Sequence, residues 1–300
     1  MQRGLGLLLI IISALSFGAL AIFARIAYDA GADPITVLFV RFVIASAVMG
    51  GIMGAWRLRF PRGRILLNLA LMGGIGYVAQ SLAYFMALTM ASASLVALLL
   101  YLYPVLVTAL SAIFLRERIT PVKLAALVCA LVGAALTIGP AGGGQPLGIA
   151  LGVATSVIYA VYILVGSRVT ARTGAIPSSA VIMTAAALVY ATIAAIQGVH
   201  FPTTIAGWSA IVAIALISTV LAIVTFFAGL ERVGPTNAAT LSTFEPLVTV
   251  LLAVLFLHER IMLVQIVGGG LILVAVILLA RSETRQTRAA DGYLPTVSER

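Results

Sequence analysis

The sequence is poor in the side chains on which most soluble chemistry depends. Of its 300 residues only 9% are charged, and it has one cysteine and two histidines. The lone Cys129 excludes a disulfide framework and a CxxC redox or zinc module. His200 and His258 stand far apart, so HExxH-type zinc chemistry is excluded. No GxxxxGK[ST] loop occurs, which excludes ATP hydrolysis by P-loop chemistry. Neither a cofactor nor a metal is expected. What the chain has in excess is apolar residues: 62% are hydrophobic, and the mean hydropathy is +1.19. A soluble globular domain is about 45–50% apolar and about 25% charged, so an ordinary cytosolic enzyme is excluded. The composition is that of a polytopic membrane protein.

A helix needs roughly 20 apolar residues to cross the hydrocarbon core. Charges and Pro and Gly clusters divide the chain into ten such stretches, at about 4–24, 35–56, 65–87, 92–115, 121–139, 147–166, 177–197, 207–229, 236–257 and 262–280. The first resembles a signal peptide, with Arg3 ahead of it and Ala19-Leu20-Ala21 near its end. Its apolar run is nevertheless longer than the usual 7–15-residue signal core, and a similar segment recurs later, so it is read as a retained helix. The polar segment 282–300 is expected to be a disordered cytoplasmic tail.

The net charge of +9 would raise nucleic acid as a partner in a soluble chain. Here the basic residues sit in short loops between spans, where they set topology instead, and no nucleic-acid partner is expected. With a cytoplasmic N-terminus, fifteen of the eighteen Lys/Arg lie inside, Arg25 and Arg260 lie outside, and Arg41 falls within a span. Both termini are therefore expected in the cytoplasm.

An internal repeat carries the reading further. A shift of 143 aligns Arg25, Gly31, Ala32 and Pro34 with Arg168, Gly174, Ala175 and Pro177, and Ser13 with Ser156. A shift of 142 aligns Pro104 with Pro246, and FLRERI at 114–119 with FLHERI at 256–261. Chance alignment explains matched Leu and Ala; it does not explain Pro, Glu and Arg at constant offset. Each repeat holds five spans, an odd number, so the halves enter the membrane with opposite orientation. The expected fold is an all-α membrane protein of ten transmembrane helices, built as two inverted five-helix repeats. The units are 1–139, a Gly-rich linker at 140–146, and 147–281. Inverted repeats let one asymmetric packing open to either side of the membrane.

The duplicated five-helix plan, Pro104 and Pro246 in spans four and nine, the Leu-x-Glu-Arg ending those spans, and Arg41-Phe42 near the start of span two together resemble the drug/metabolite transporter superfamily. Within it the chain is similar to the EamA-type ten-helix exporters, which include bacterial amino-acid exporters. The resemblance covers roughly 4–280. It implies a secondary transporter in the cell inner membrane exporting amino acids or similar small amphipathic metabolites by alternating access, and a cavity enclosed by spans one, three, four, six, eight and nine. The alternatives are a multidrug or lipophilic-cation exporter of the same fold, a non-transporting scaffold, or a channel; a membrane enzyme has less in its favour. The expected partners are a small-molecule substrate and membrane lipid, with a monomer favoured.

Glu245 is the most informative side chain, about ten residues into span nine and so roughly 15 Å deep at 1.5 Å per residue. A carboxylate at that depth is costly unless protonated, paired or facing a wet cavity. Pro246 lacks an N–H, leaves the Ser242 carbonyl without its helical donor and kinks the helix. The repeat counterpart of Glu245 is Tyr103, beside Pro104. In span three Tyr77, Gln80, Ser81 and Tyr84 fall at i, i+3, i+4 and i+7, on one helix face, and a polar stripe must face protein or water. Ser156 and Tyr159 share a face of span six, as do Asn237, Leu241 and Glu245 of span nine. Phe17, Tyr101 and Thr225 complete the candidate cavity set. Gly148, Gly152, Ser156 and Ala160 form a small-residue row for close helix packing. Arg41 is expected to snorkel to the outer headgroups, and Glu117, Arg118, Glu259 and Arg260 to fix the ends of spans four and nine.

Overall fold

The structure, a computed structural model, describes residues 2–114, 120–138, 144–170 and 173–291, with the side chains of 2–3, 114, 167–170, 234–237, 239–240 and 282–291 excepted. It is helical throughout, and the described residues form no strand beyond one isolated bridge between Ala91 and Gly144. Span one is α1 (Gln2–Gly18) and α2 (Leu20–Asp29); span two is α3 (Pro34–Ala55). Span three is α4 (Gly63–Leu71), a π-helical turn (Met72–Tyr77) and α5 (Val78–Met90). Span four is α6 (Ala93–Leu100) and α7 (Tyr103–Phe114), span five α8 (Pro121–Ile138), span six α9 (Pro146–Thr170) and span seven α10 (Ala175–Gln197). Then follow α11 (Ile205–Ala215), a second π-helical turn (Leu216–Leu221), α12 (Ala222–Ser242), α13 (Phe244–Leu257) and α14 (Leu263–Asp291).

Nine helical stretches among the described residues are long and apolar enough to cross a membrane; Phe244–Leu257 is shorter. The expected loop between spans eight and nine is not a loop: α12 runs through 230–235 and ends at Ser242, so the break falls at Thr243, inside expected span nine. The last helix likewise continues beyond 281 to Asp291. Residues 292–300 and 139–143 lie outside the described residues, as do Glu117 and Arg118.

Local chemistry explains the helix starts. Asp33 caps α3 by accepting from the Thr36 N–H at 2.9 Å, with Pro34 in the first turn, where its missing N–H costs nothing. Ser92 and Thr204 cap α6 and α11 in the same way. Gly31 and Gly174, related by 143 positions, both take positive φ, 93° and 76°, at the turns that lead into the next span of each repeat.

The packing displays the repeat. Span two packs on span seven, four on nine and five on ten, each on its counterpart, while span one packs on eight as three packs on six. That pairing is a pseudo-two-fold relation between inverted halves. Small residues set the closest approaches. A Cβ on Gly268 of α14 would lie 2.5 Å from the Thr137 backbone nitrogen of α8. In the small-residue row of α9, a Cβ on Gly148 would meet Met90 at 2.7 Å and one on Gly152 would meet Leu99 at 2.9 Å. Large apolar side chains such as Ile75, Ile113, Leu188 and Leu251 are exposed around the outside, as a lipid-facing surface requires.

Candidate functional site

Spans four and nine are both broken, and at equivalent places: Tyr101 and Leu102 interrupt α6 and α7, Thr243 interrupts α12 and α13. Glu245 sits in the first turn of α13, followed by Pro246. The Tyr101 hydroxyl reaches across from one break to the other, donating at 2.6 Å to the Ser242 carbonyl and lying 2.9 Å from Glu245 Oε2. The carbonyl that Pro246 frees thus finds its partner in the other half of the molecule. Span one breaks nearby at Ala19, where the Gly18 carbonyl accepts from the Thr249 hydroxyl at 2.8 Å.

Around these breaks lies a cavity of about 110 Å³. Phe17 and Leu20 line it from span one, Arg41 from span two, and Tyr77, Gln80, Ser81, Tyr84 and Phe85 from span three. Leu100, Tyr101 and Tyr103 contribute from span four, Tyr159 from span six and Glu245 from span nine. Tyrosine rings form much of the wall, with Tyr101 5.8 Å from Tyr103 and Tyr103 4.8 Å from Tyr159, centroid to centroid. Ser81 is fixed by the hydroxyl of Tyr190 at 2.9 Å. A larger apolar groove between spans three and six, lined by Leu71, Ile75, Val157, Val161 and Val165, carries no charged residue and is walled by side chains exposed on the lipid-facing surface.

The stripe expected on span three lines the cavity as a unit, together with Phe17, Tyr101, Tyr103, Tyr159 and Glu245. Ser156 and Thr225 are not among the lining residues. Both are buried, and each hydroxyl is turned back on its own helix, to the Val153 and Leu221 carbonyls, a common alternative for hydroxyls within helices. The side chain of Asn237 lies outside the described residues.

Arg41 requires a correction. It does not snorkel: the residue is 3% exposed, its Nε donates to Thr219 Oγ1 at 2.9 Å, and its guanidinium lies 5.0 and 5.4 Å from the Phe42 and Phe85 rings. Depth in the span gave no sign of this, because the partner Thr219 comes from the π-helical turn of a distant span. Thr219 in turn donates to the Ile214 carbonyl, five residues back. Leu20, Phe85 and Leu100 were also missed, since apolar residues in apolar spans carry no distinguishing signal. Glu259 does more than end its own span: it accepts from the Ala93 N–H at 2.7 Å and from the Ser94 hydroxyl at 2.7 Å, at the start of α6.

Ten apolar helical segments among the described residues, in inverted halves that enclose a polar cavity at paired helix breaks, define a multi-pass membrane transporter fold. The sequence model of the EamA-like transporter family matches residues 4–139 and again 146–281, and the chain belongs to that family. It is 27% identical over 284 residues to "Uncharacterized transporter YcbK" of Bacillus subtilis, covering 90% of each chain. It is 27% identical over 231 residues to "Uncharacterized inner membrane transporter YicL" of Salmonella typhimurium, covering 75% of this chain and 76% of that one. A relative from Archaeoglobus fulgidus, also named a transporter, is 25% identical over 272 residues. A crystal structure of another protein superposes with a TM-score of 0.66 at 22% identity, covering 94% of this chain and 98% of that one; it shows the fold. The chain is a multi-pass membrane protein.

Proposed function

We propose that the protein is a secondary carrier, not an enzyme, which exports amino acids or similar small amphipathic metabolites across the cytoplasmic membrane by alternating access. The observation that carries this reading is the placement of Glu245 at a helix break, hydrogen-bonded to Tyr101 at the pseudo-equivalent break of the other half. Broken helices at the midplane supply polar groups to a substrate without exposing backbone to lipid. The basic loops support an orientation with both termini in the cytoplasm. A small-molecule substrate, surrounding lipid and a monomeric carrier complete the proposal, with no nucleic acid involved.

The test is efflux of a panel of preloaded, labelled amino acids from proteoliposomes, with and without an imposed pH gradient, against protein-free vesicles. Saturable efflux of some members is the expected result. If none moves while the protein remains folded, the amino-acid assignment fails and lipophilic cations become the next panel.

A further inference from the structure

Two side chains of opposite charge line the cavity, Arg41 and Glu245. Among the described residues no ion pair joins them, so they stand more than 4.0 Å apart. Each is only partly satisfied by protein. A guanidinium has five N–H donors, and Arg41 uses the one on Nε, to Thr219. The Phe42 and Phe85 rings offset its charge without taking any N–H. Among the described residues its terminal nitrogens find no acceptor, at a residue that is 3% exposed and borders the cavity. On the other side, Glu245 Oε2 has Tyr101 as its partner, while Oε1 has no donor among the described residues. Tyr84 lines the same space.

We infer that Arg41 and Glu245 form a two-point site for a zwitterion, in which the terminal N–H groups of Arg41 grip an α-carboxylate and Glu245 accepts from the α-ammonium. This rests on the carrier reading above and names the substrate class of that cavity. A planar guanidinium matches a carboxylate through two parallel hydrogen bonds, which a lysine ammonium does not reproduce. The tyrosine-rich wall is left to the substrate's side chain. A simple lipophilic cation satisfies Glu245 alone; it leaves the Arg41 donors unpaired and adds a like charge to the cavity. A simple anion has the reverse defect. The pair thus selects against both, and unpaired buried donors are the more costly outcome.

The experiment compares three probes that share one side chain in proteoliposomes: leucine, isopentylamine, which lacks the carboxylate, and N-acetylleucine, which lacks the ammonium. Leucine efflux is expected to exceed either analogue at least tenfold after subtraction of protein-free vesicles, the factor that one charge-assisted hydrogen bond supplies. In Arg41→Gln leucine efflux falls at least tenfold while isopentylamine efflux holds or rises, which a merely structural arginine would not produce. Arg41→Lys, which keeps the charge without the fork, gives an intermediate preference and serves if Arg41→Gln fails to fold. Equal efflux of leucine and isopentylamine by the native protein, or an equal loss of all three probes in both variants, overturns the inference and leaves the carrier reading standing. If the folded native protein moves none of the three and none of the wider amino-acid panel, the carrier reading falls and this inference with it.

Discussion

The Tyr101 hydroxyl serves two acceptors, the Ser242 carbonyl freed by Pro246 and the Glu245 carboxylate. Tyr101→Phe strips both at once in a residue that is 4% exposed, so a loss of about 1–3 kcal/mol is expected, read as a lower unfolding temperature in detergent. Glu245→Gln keeps the shape and removes the titratable carboxyl; if Glu245 carries a proton during transport, efflux is expected to lose its response to an imposed pH gradient, and a response that persists shows that Glu245 does not carry it. Outside the spans, Asp33 offers a second titration. Partial burial pushes its carboxyl upward, but the Thr36 N–H and hydroxyl and the donors of His200 outweigh that and hold it below the ordinary value. A depressed folded pKa means the stabilisation is complete above the unfolded value of about 3.9 and is lost as pH falls through the folded value. The unfolding temperature should therefore drop below about pH 4, and Asp33→Asn should show a shallower drop. At this scale the site was legible where a period exposed it. Tyr77, Gln80, Ser81 and Tyr84 fall on one helical face whatever surrounds them. Arg41 was not, because its orientation depends on Thr219, 178 positions away, and no local pattern reports such a partner.

Between residues and the whole chain, the informative features are the irregular segments and their repetition. Breaks at Tyr101-Leu102 and Thr243, and π-helical turns at Met72–Tyr77 and Leu216–Leu221, occupy matching places in the two halves. Each π-helical turn delivers a side chain to the site's surroundings: Tyr77 lines the cavity, and Thr219 holds Arg41. The spans themselves could be read from hydropathy, since charge and proline clusters punctuate them. Where the reading failed, a local signal did not decide the backbone: Gly234-Pro235 marks a loop, yet the backbone of α12 stays helical through it. The α8–α14 crossing gives the element-scale prediction. With a Cβ on Gly268 only 2.5 Å from the Thr137 nitrogen, backbone must move to admit any side chain. Gly268→Val should separate the two helices and lower the yield of folded, monodisperse protein, whereas Gly270→Ala, with open space around its Cβ position, should be tolerated.

For the molecule as a whole, one end of the bundle is fastened more than a packed apolar interface requires. There the Ala91 and Gly144 backbones pair, the Gln145 N–H donates to the Met90 carbonyl at 2.8 Å, and the Thr203 N–H donates to the Ala30 carbonyl at 2.9 Å. Arg25 donates to the Leu88 carbonyl and Tyr28 to that of Phe85. Glu259 joins span nine to span four, one half to the other, by accepting from two backbone N–H groups and a hydroxyl. If inverted halves exchange conformations during a transport cycle, these contacts must break as that end opens. Hydrogen bonds to a charged group contribute about 1.5–3 kcal/mol each, so removing Glu259 should shift the balance toward the state open at its own end by tenfold or more. The expected observation follows in a Cys129→Ser background carrying Leu20→Cys in the cavity wall. Adding Glu259→Ala should speed labelling by a membrane-impermeant maleimide applied from the Glu259 side, the cell exterior in the proposed orientation, and slow it from the opposite side. An unchanged rate from both sides means that this end does not open through the Glu259 contact. Acceleration from the cytoplasmic side alone reverses the proposed orientation while leaving the inverted repeat intact.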